Sequence, residues 1–121
     1  MGRTYLFSCE KCGYHARVSG NFVQGLDVAA QTIHCVECHE LYDAVTAVRG
    51  PAGEPWIRPP FIEDVVNRLH SNDRADWEWR QFEQACPRFP EHEIHEWKHP
   101  GTCPRCGSFL EPSGMPFRVW D

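Results

Sequence analysis

The sequence predicts a small α+β fold, stapled at each end by clustered cysteines. Three observations carry this expectation. Seven cysteines fall within 121 residues, and they gather toward the two ends. The end segments show the alternating apolar–polar pattern of short antiparallel strands, and the middle shows a helical spacing. A chain of this length is one domain or two very small ones, and units of about forty to fifty residues need a staple beyond apolar burial.

Taken in order, residues 1–49 hold two CxxC pairs and strand-like runs. Tyr14, Ala16 and Val18 alternate with His15, Arg17 and Ser19. Leu41, Val45 and Ala47 are set among Tyr42, Ala44 and Thr46. Residues 50–60 carry four prolines and two glycines and read as a linker. Residues 61–84 read as a helical segment: Phe61, Val65 and Leu69 recur every four residues behind Pro59-Pro60. A second helical stretch is expected from Asp73, burying Trp77 and Phe82, although Trp77 to Arg80 also alternates like a strand. Residues 85–121 return to cysteine, proline and glycine. The four segments are expected to pack as one unit.

The N-terminal residues contain no apolar run of signal-peptide length, position 6 is Leu rather than the Ser or Thr of a myristoylation signal, and no stretch approaches membrane-spanning length. A reducing, cytoplasmic-type compartment is therefore expected, where clustered cysteines are metal ligands or reactive thiols. The odd cysteine count also argues against a closed set of disulfides. Cys9, Cys12, Cys35 and Cys38 form CxxC–x22–CxxC, which offers four thiolates of the kind that zinc takes in a tetrahedron. Gly13, directly after Cys12, suits a turn that ends at positive φ. The second expected set is Cys86, His92, Cys103 and Cys106. Cys86 is the cysteine left over, and His92 follows it in a loop closed by Pro87 and Pro90. His99 and His95 are the reserve candidates for the fourth position. Two zinc ions are thus expected.

These motifs resemble the zinc-ribbon superfamily: two CxxC knuckles facing each other over a small antiparallel sheet, one ribbon at each end of the chain. The resemblance covers about two thirds of the sequence, residues 1–49 and 85–121. It implies a metal-held scaffold, with no single activity attached. The stretch ending Cys9-Glu-Lys-Cys12-Gly13-Tyr14 is also similar to the first knuckle of rubredoxins. That likeness implies iron as an alternative occupant of the first set, native or acquired during expression, and electron transfer as a function. Cys35-Val-Glu-Cys38-His39 departs from the rubredoxin pattern.

An internal repeat links the two ends. Cys9-x-x-Cys12-Gly13 followed by Ser19-Gly20 matches Cys103-x-x-Cys106-Gly107 followed by Ser113-Gly114 at identical spacing. It predicts two related metal-binding units, one at each end. His95-Glu96-Trp97-Lys98-His99 matches the HExxH signature of zinc hydrolases, in which Glu96 would activate water. Pro100-Gly101 follows at once, which stops any helix that could place both histidines on one face.

Formal net charge is −5; residues 1–49 hold four Lys/Arg against five Asp/Glu, and residues 50–121 hold eight against twelve. Neither part is basic, so binding to a nucleic-acid backbone is the less favoured alternative. The expected function is a non-catalytic interaction module for a protein partner, with Trp56, Trp77, Trp79, Trp97 and Trp120 as candidate contact residues. A thiol-based redox sensor is a further reading, because zinc thiolates can be oxidised and release their metal.

Overall fold

A computed structural model describes residues 2–51, 77–116 and 118–120. Nine strands make up the regular structure of these residues: β1 (Gly2–Ser8), β2 (His15–Val18), β3 (Phe22–Gln24), β4 (Val28–Cys35), β5 (Glu40–Pro51), β6 (Trp77–Gln81), β7 (Ile94–Glu96), β8 (Glu111–Pro112) and β9 (Arg118–Trp120). The expected α+β class with a helical insert is therefore corrected: among the described residues there is no helix. Trp77–Gln81 is a strand because it meets a partner. Its five residues lie antiparallel against Ala47–Pro51 of β5, and two tryptophans in an alternating segment suit a pleated surface better than a helix. Gln81 to Gln84 carry no helix either. Residues 61–76 of the expected helical segment, and 52–60 of the expected linker, lie outside the described residues.

The strands form two antiparallel sheets. In the first, β1 is central. It pairs with β2 through Tyr5↔Val18 to Ser8↔His15, with β8 through Ser8↔Glu111, and with β9 through Gly2↔Trp120. In the second, β4 is central. It runs against β5 on one edge, while β3 and then β7 occupy its other edge, at Ala29–Gln31 and Ile33–Cys35 respectively. Pairing on both edges and packing on both faces explain why β4 is buried along nearly its whole length, and why Val-Ala-Ala-Gln-Thr-Ile-His-Cys reads as a near-continuous run. One register shift at Ala29/Ala30 leaves Thr46 outside the pairing with β4. Its carbonyl accepts the Phe82 N–H at 2.7 Å on the β6 side.

The two sheets repeat one plan. A hairpin carries a CxxC at its tip (β1–β2, β4–β5), and a third strand (β8, β7) returns antiparallel onto the first strand of that hairpin. The units are nested rather than consecutive. The inner unit, β3 to β7, lies in the sequence between the two parts of the outer unit, β1–β2 and β8–β9. The expected division at residue 49 therefore falls inside β5.

A common core joins the units. Phe7, Val18 and Leu110 of the outer unit pack with Leu41 and Trp97 of the inner one, and Phe7 meets Trp97 edge-on with ring centroids 5.3 Å apart. A polar cluster fixes the crossing between β2 and β3. Ser19 N–H donates to Asp43 Oδ2 (2.9 Å), Thr32 Oγ1 donates to Asp43 Oδ1 (2.6 Å), and Gly20 N–H donates to Thr32 Oγ1 (2.9 Å). Ser19 and Thr32 are buried, so these bonds satisfy groups that would otherwise destabilise the junction. No helix of the described residues is long and apolar enough to cross a membrane.

Candidate metal centres

Eight side chains converge in two groups of four: Cys9, Cys12, Cys103 and Cys106 in the outer unit, and Cys35, Cys38, Cys86 and His92 in the inner unit. Within each group the ligand atoms all lie within 4.8 Å of one another. Among the close pairs are Cys9 Sγ–Cys106 Sγ at 3.4 Å and Cys12 Sγ–Cys103 Sγ at 3.6 Å in the outer centre. In the inner centre Cys38 Sγ–Cys86 Sγ is 3.8 Å, and His92 Nδ1 stands 3.4 Å from Cys35 Sγ and 3.5 Å from Cys38 Sγ. Four sulfurs held about 2.3 Å from one ion would stand about 3.8 Å apart, and an S–N edge would be slightly shorter. A disulfide would bring two sulfurs to about 2.05 Å, whereas all seven cysteines are free. Each group thus has the geometry to hold a metal ion.

The partition differs from the one expected from spacing. Cys9 and Cys12 face Cys103 and Cys106, not Cys35 and Cys38; Cys86 and His92 face Cys35 and Cys38, not Cys103 and Cys106. The cause is strand pairing. β8, which follows Cys103 and Cys106, returns to β1 beside Cys9, and β7, which follows His92, returns to β4 beside Cys35. The internal repeat belongs to this arrangement. Its two copies are the two facing knuckles of one centre rather than one centre each.

The knuckles are built alike. In the first, Cys9 N–H donates to the Tyr14 carbonyl (2.8 Å) and Gly13 N–H donates to the Cys9 carbonyl (3.0 Å). In the last, Cys103 N–H donates to the Ser108 carbonyl (2.5 Å) and Gly107 N–H donates to the Cys103 carbonyl (3.0 Å). Gly13 and Gly107 sit at φ of 79° and 80°, the left-handed region such a turn needs. In the knuckle of β4–β5 that position is His39, at φ 55°, and its N–H donates to the Cys35 carbonyl at 3.0 Å. The same turn is thus made without glycine. The fourth loop is wider: His92 N–H donates to the Phe89 carbonyl (3.1 Å), which folds Cys86-Pro87-Arg88-Phe89 back so that His92 reaches the centre.

Backbone N–H groups also point at sulfur. Cys38 N–H lies 3.4 Å from Cys35 Sγ and Arg105 N–H lies 3.4 Å from Cys103 Sγ. The Ser108 backbone, then the Cys9 thiol, draw the Cys106 thiol down to about 6. The Tyr14 backbone favours the Cys12 thiolate, but desolvation and hydrogen bonds with its three fellow cysteines outweigh it and push Cys12 up to about 12. A set of thiols this close shares its protons, and a divalent cation is what allows all four to ionise together.

A second layer of residues, not singled out by spacing, holds the knuckles. Arg105 lies over the Tyr14 ring at 4.8 Å, its Nη2 is 3.3 Å from Glu40 Oε1, and its Nε donates to the His39 carbonyl at 3.4 Å. Arg88 lies over the Tyr42 ring at 5.9 Å and donates through Nε to the Tyr42 hydroxyl at 2.9 Å. The signal was the repeated Cys-Pro-Arg of Cys86-Pro87-Arg88 and Cys103-Pro104-Arg105. The Tyr14 hydroxyl accepts the buried Leu41 N–H at 2.9 Å, which ties the outer knuckle to the inner hairpin.

The HExxH residues serve neither centre. His95 and Glu96 lie in β7, a strand, where His95 pairs with His34 and its Nε2 is 3.6 Å from Glu93 Oε2. Glu96 accepts a hydrogen bond from Gln84 at 3.0 Å, and the His99 ring packs on Phe7 with centroids 5.7 Å apart. The reserve ligands His95 and His99 are thus engaged elsewhere. Of the tryptophans, Trp97 is core, Trp79 is exposed and Trp77 is half-buried; Trp56 lies outside the described residues.

Set against family models, curated proteins and solved structures, the chain matches none of them.

Proposed function

We propose that the chain binds two zinc ions, one per centre, as structural ions of a zinc-ribbon-like scaffold that serves as a non-catalytic interaction module for a protein partner. The observation that carries the reading is the closure of both groups. Each supplies four protein donors at tetrahedral separations, which leaves no coordination position for water or substrate. Three thiolates with one imidazole suit zinc, and the four-thiolate outer centre accepts zinc or iron on donor chemistry alone. The partner reading is supported by the acidic balance of the sequence and by exposed apolar side chains on the loops of the centres, Phe89 at 62% and Phe109 at 65% exposure.

The test has two arms. Elemental mass spectrometry of protein purified without added metal should give two zinc per chain; a stoichiometric iron signal, together with reversible one-electron reduction of protein from its native host, would assign the outer centre to electron transfer. An affinity capture should enrich a protein that a Phe89→Ser, Phe109→Ser variant with unchanged metal content does not retain. Equal retention by that variant would defeat the proposed contact surface.

A further inference from the structure

The two centres differ in how far their sulfurs are open to solvent. In the outer centre Cys12 and Cys106 are exposed while Cys9 and Cys103 are buried. In the inner centre Cys35 and Cys86 are wholly buried, and Cys38 and His92 are half-buried, the His92 ring with its centroid 5.1 Å from that of Phe89. Each exposed outer sulfur has a buried sulfur from the opposite knuckle as a near neighbour: Cys106 with Cys9 at 3.4 Å, and Cys12 with Cys103 at 3.6 Å.

We propose that the outer centre is a peroxide-sensitive thiolate site in which Cys106 or Cys12 is oxidised first and its buried partner closes a disulfide across the two knuckles, while the inner centre stays metallated. The inference rests on the two-zinc reading and adds a reactivity to one of its sites. A solvent-borne oxidant meets the exposed sulfurs first, since reactivity follows thiolate character and access.

The chemistry balances. The Cys106 thiolate attacks one oxygen of hydrogen peroxide, the O–O bond breaks, and a sulfenic acid and hydroxide form. The Cys9 thiolate then attacks the Cys106 sulfur, the S–O bond breaks, and hydroxide leaves. Two thiolates have given two electrons to peroxide, two protons convert the two hydroxides to water, and the zinc ion, left with two thiolate ligands, dissociates. The disulfide joins the chain around residue 9 to the chain around residue 106, so the β1–β8 pairing keeps a covalent clasp after the metal has gone.

The experiment uses the full chain carrying two zinc ions, with stoichiometry measured before any oxidant is added. A count below two at that stage refutes the two-zinc reading and is thereby distinguished from failure of this inference. Hydrogen peroxide is then added in excess of two equivalents per chain, zinc release is followed with a chromogenic chelator, and protein quenched at the end of the first phase is digested unreduced for peptide mapping. The expected result is release of one zinc equivalent about tenfold faster than the second. Peptides linked Cys9–Cys106 or Cys12–Cys103 should appear, with Cys35, Cys38 and Cys86 still reduced. Dithiothreitol with added zinc should return the outer centre's ion and bring the count back to two per chain. Simultaneous release of both ions, oxidation of the inner cysteines first, or a link within a single CxxC would each overturn the proposal.

Discussion

Tyr14 links the two units through one hydrogen bond. Its hydroxyl accepts the N–H of Leu41, and both residues are buried, so removing the oxygen leaves a backbone donor with no water to turn to. Tyr14→Phe should therefore cost about 1–3 kcal/mol in denaturant unfolding while the metal content stays unchanged. Phe7 acts at the same scale through shape: it is 1% exposed at the junction of the two sheets, and Phe7→Ala should cost about 3–5 kcal/mol by opening a cavity against Trp97. Among the described residues, His92 is the histidine that puts a ring nitrogen among sulfurs. His92→Ala should lower zinc content by one equivalent, whereas His95→Ala and His99→Ala should leave it intact; loss of metal from either would contradict the inner ligand set.

The knuckle is the element that the sequence displays most openly. CxxC followed by glycine is a short-range pattern, and its turn closes on its own hydrogen bonds, so the local residues are enough to specify it. The knuckle with His39 shows the converse. The backbone takes the left-handed turn even where the residue does not favour it, because Cys35 and Cys38 must face the same point. His39→Gly should thus be neutral or stabilising, by about 1 kcal/mol, and Gly13→Ala, with open space around its added methyl, should destabilise by about that amount through backbone strain alone. Thermal unfolding of the metal-loaded protein would measure both. The strand at Trp77–Gln81 was not legible in the same way. Its alternation competes with a helical spacing from Asp73, and the deciding partner, Ala47–Pro51, lies far away in sequence. Local propensity does not contain that pairing.

At the scale of the whole molecule, the side chains that cluster were legible and their grouping was not. All eight donors follow from residue type and spacing, and the leftover Cys86 and its neighbour His92 follow from the odd cysteine. How the knuckles pair depends on which strands return to which hairpins, and ends far apart in sequence meet at little extra entropic cost, since that cost grows only slowly with loop length. Substitution in pairs tests the nested partition directly. Cys12→Ser with Cys106→Ser should remove one zinc equivalent, because both belong to the outer centre; Cys12→Ser with Cys38→Ser should remove both. The reverse pattern would restore the consecutive arrangement. A strong chelator should abolish the native circular dichroism spectrum if metal binding is part of folding, and an unchanged spectrum after verified metal removal would contradict that.

The nesting also sets an order of events on the ribosome. Synthesis runs from the N-terminus, so Cys9, Cys12, Cys35 and Cys38 emerge before any of their native partners across the centres. These four form a complete zinc-binding quartet by composition, and a released fragment ending at residue 51 should capture one zinc ion through them. As Cys86 and His92 emerge, Cys35 and Cys38 acquire their own partners, and Cys9 and Cys12 must wait for Cys103 and Cys106. If the provisional set is metallated, maturation of this chain should include a transfer of metal to the final ligands, and the speed of thiolate exchange, rather than of strand formation, is expected to time its last step.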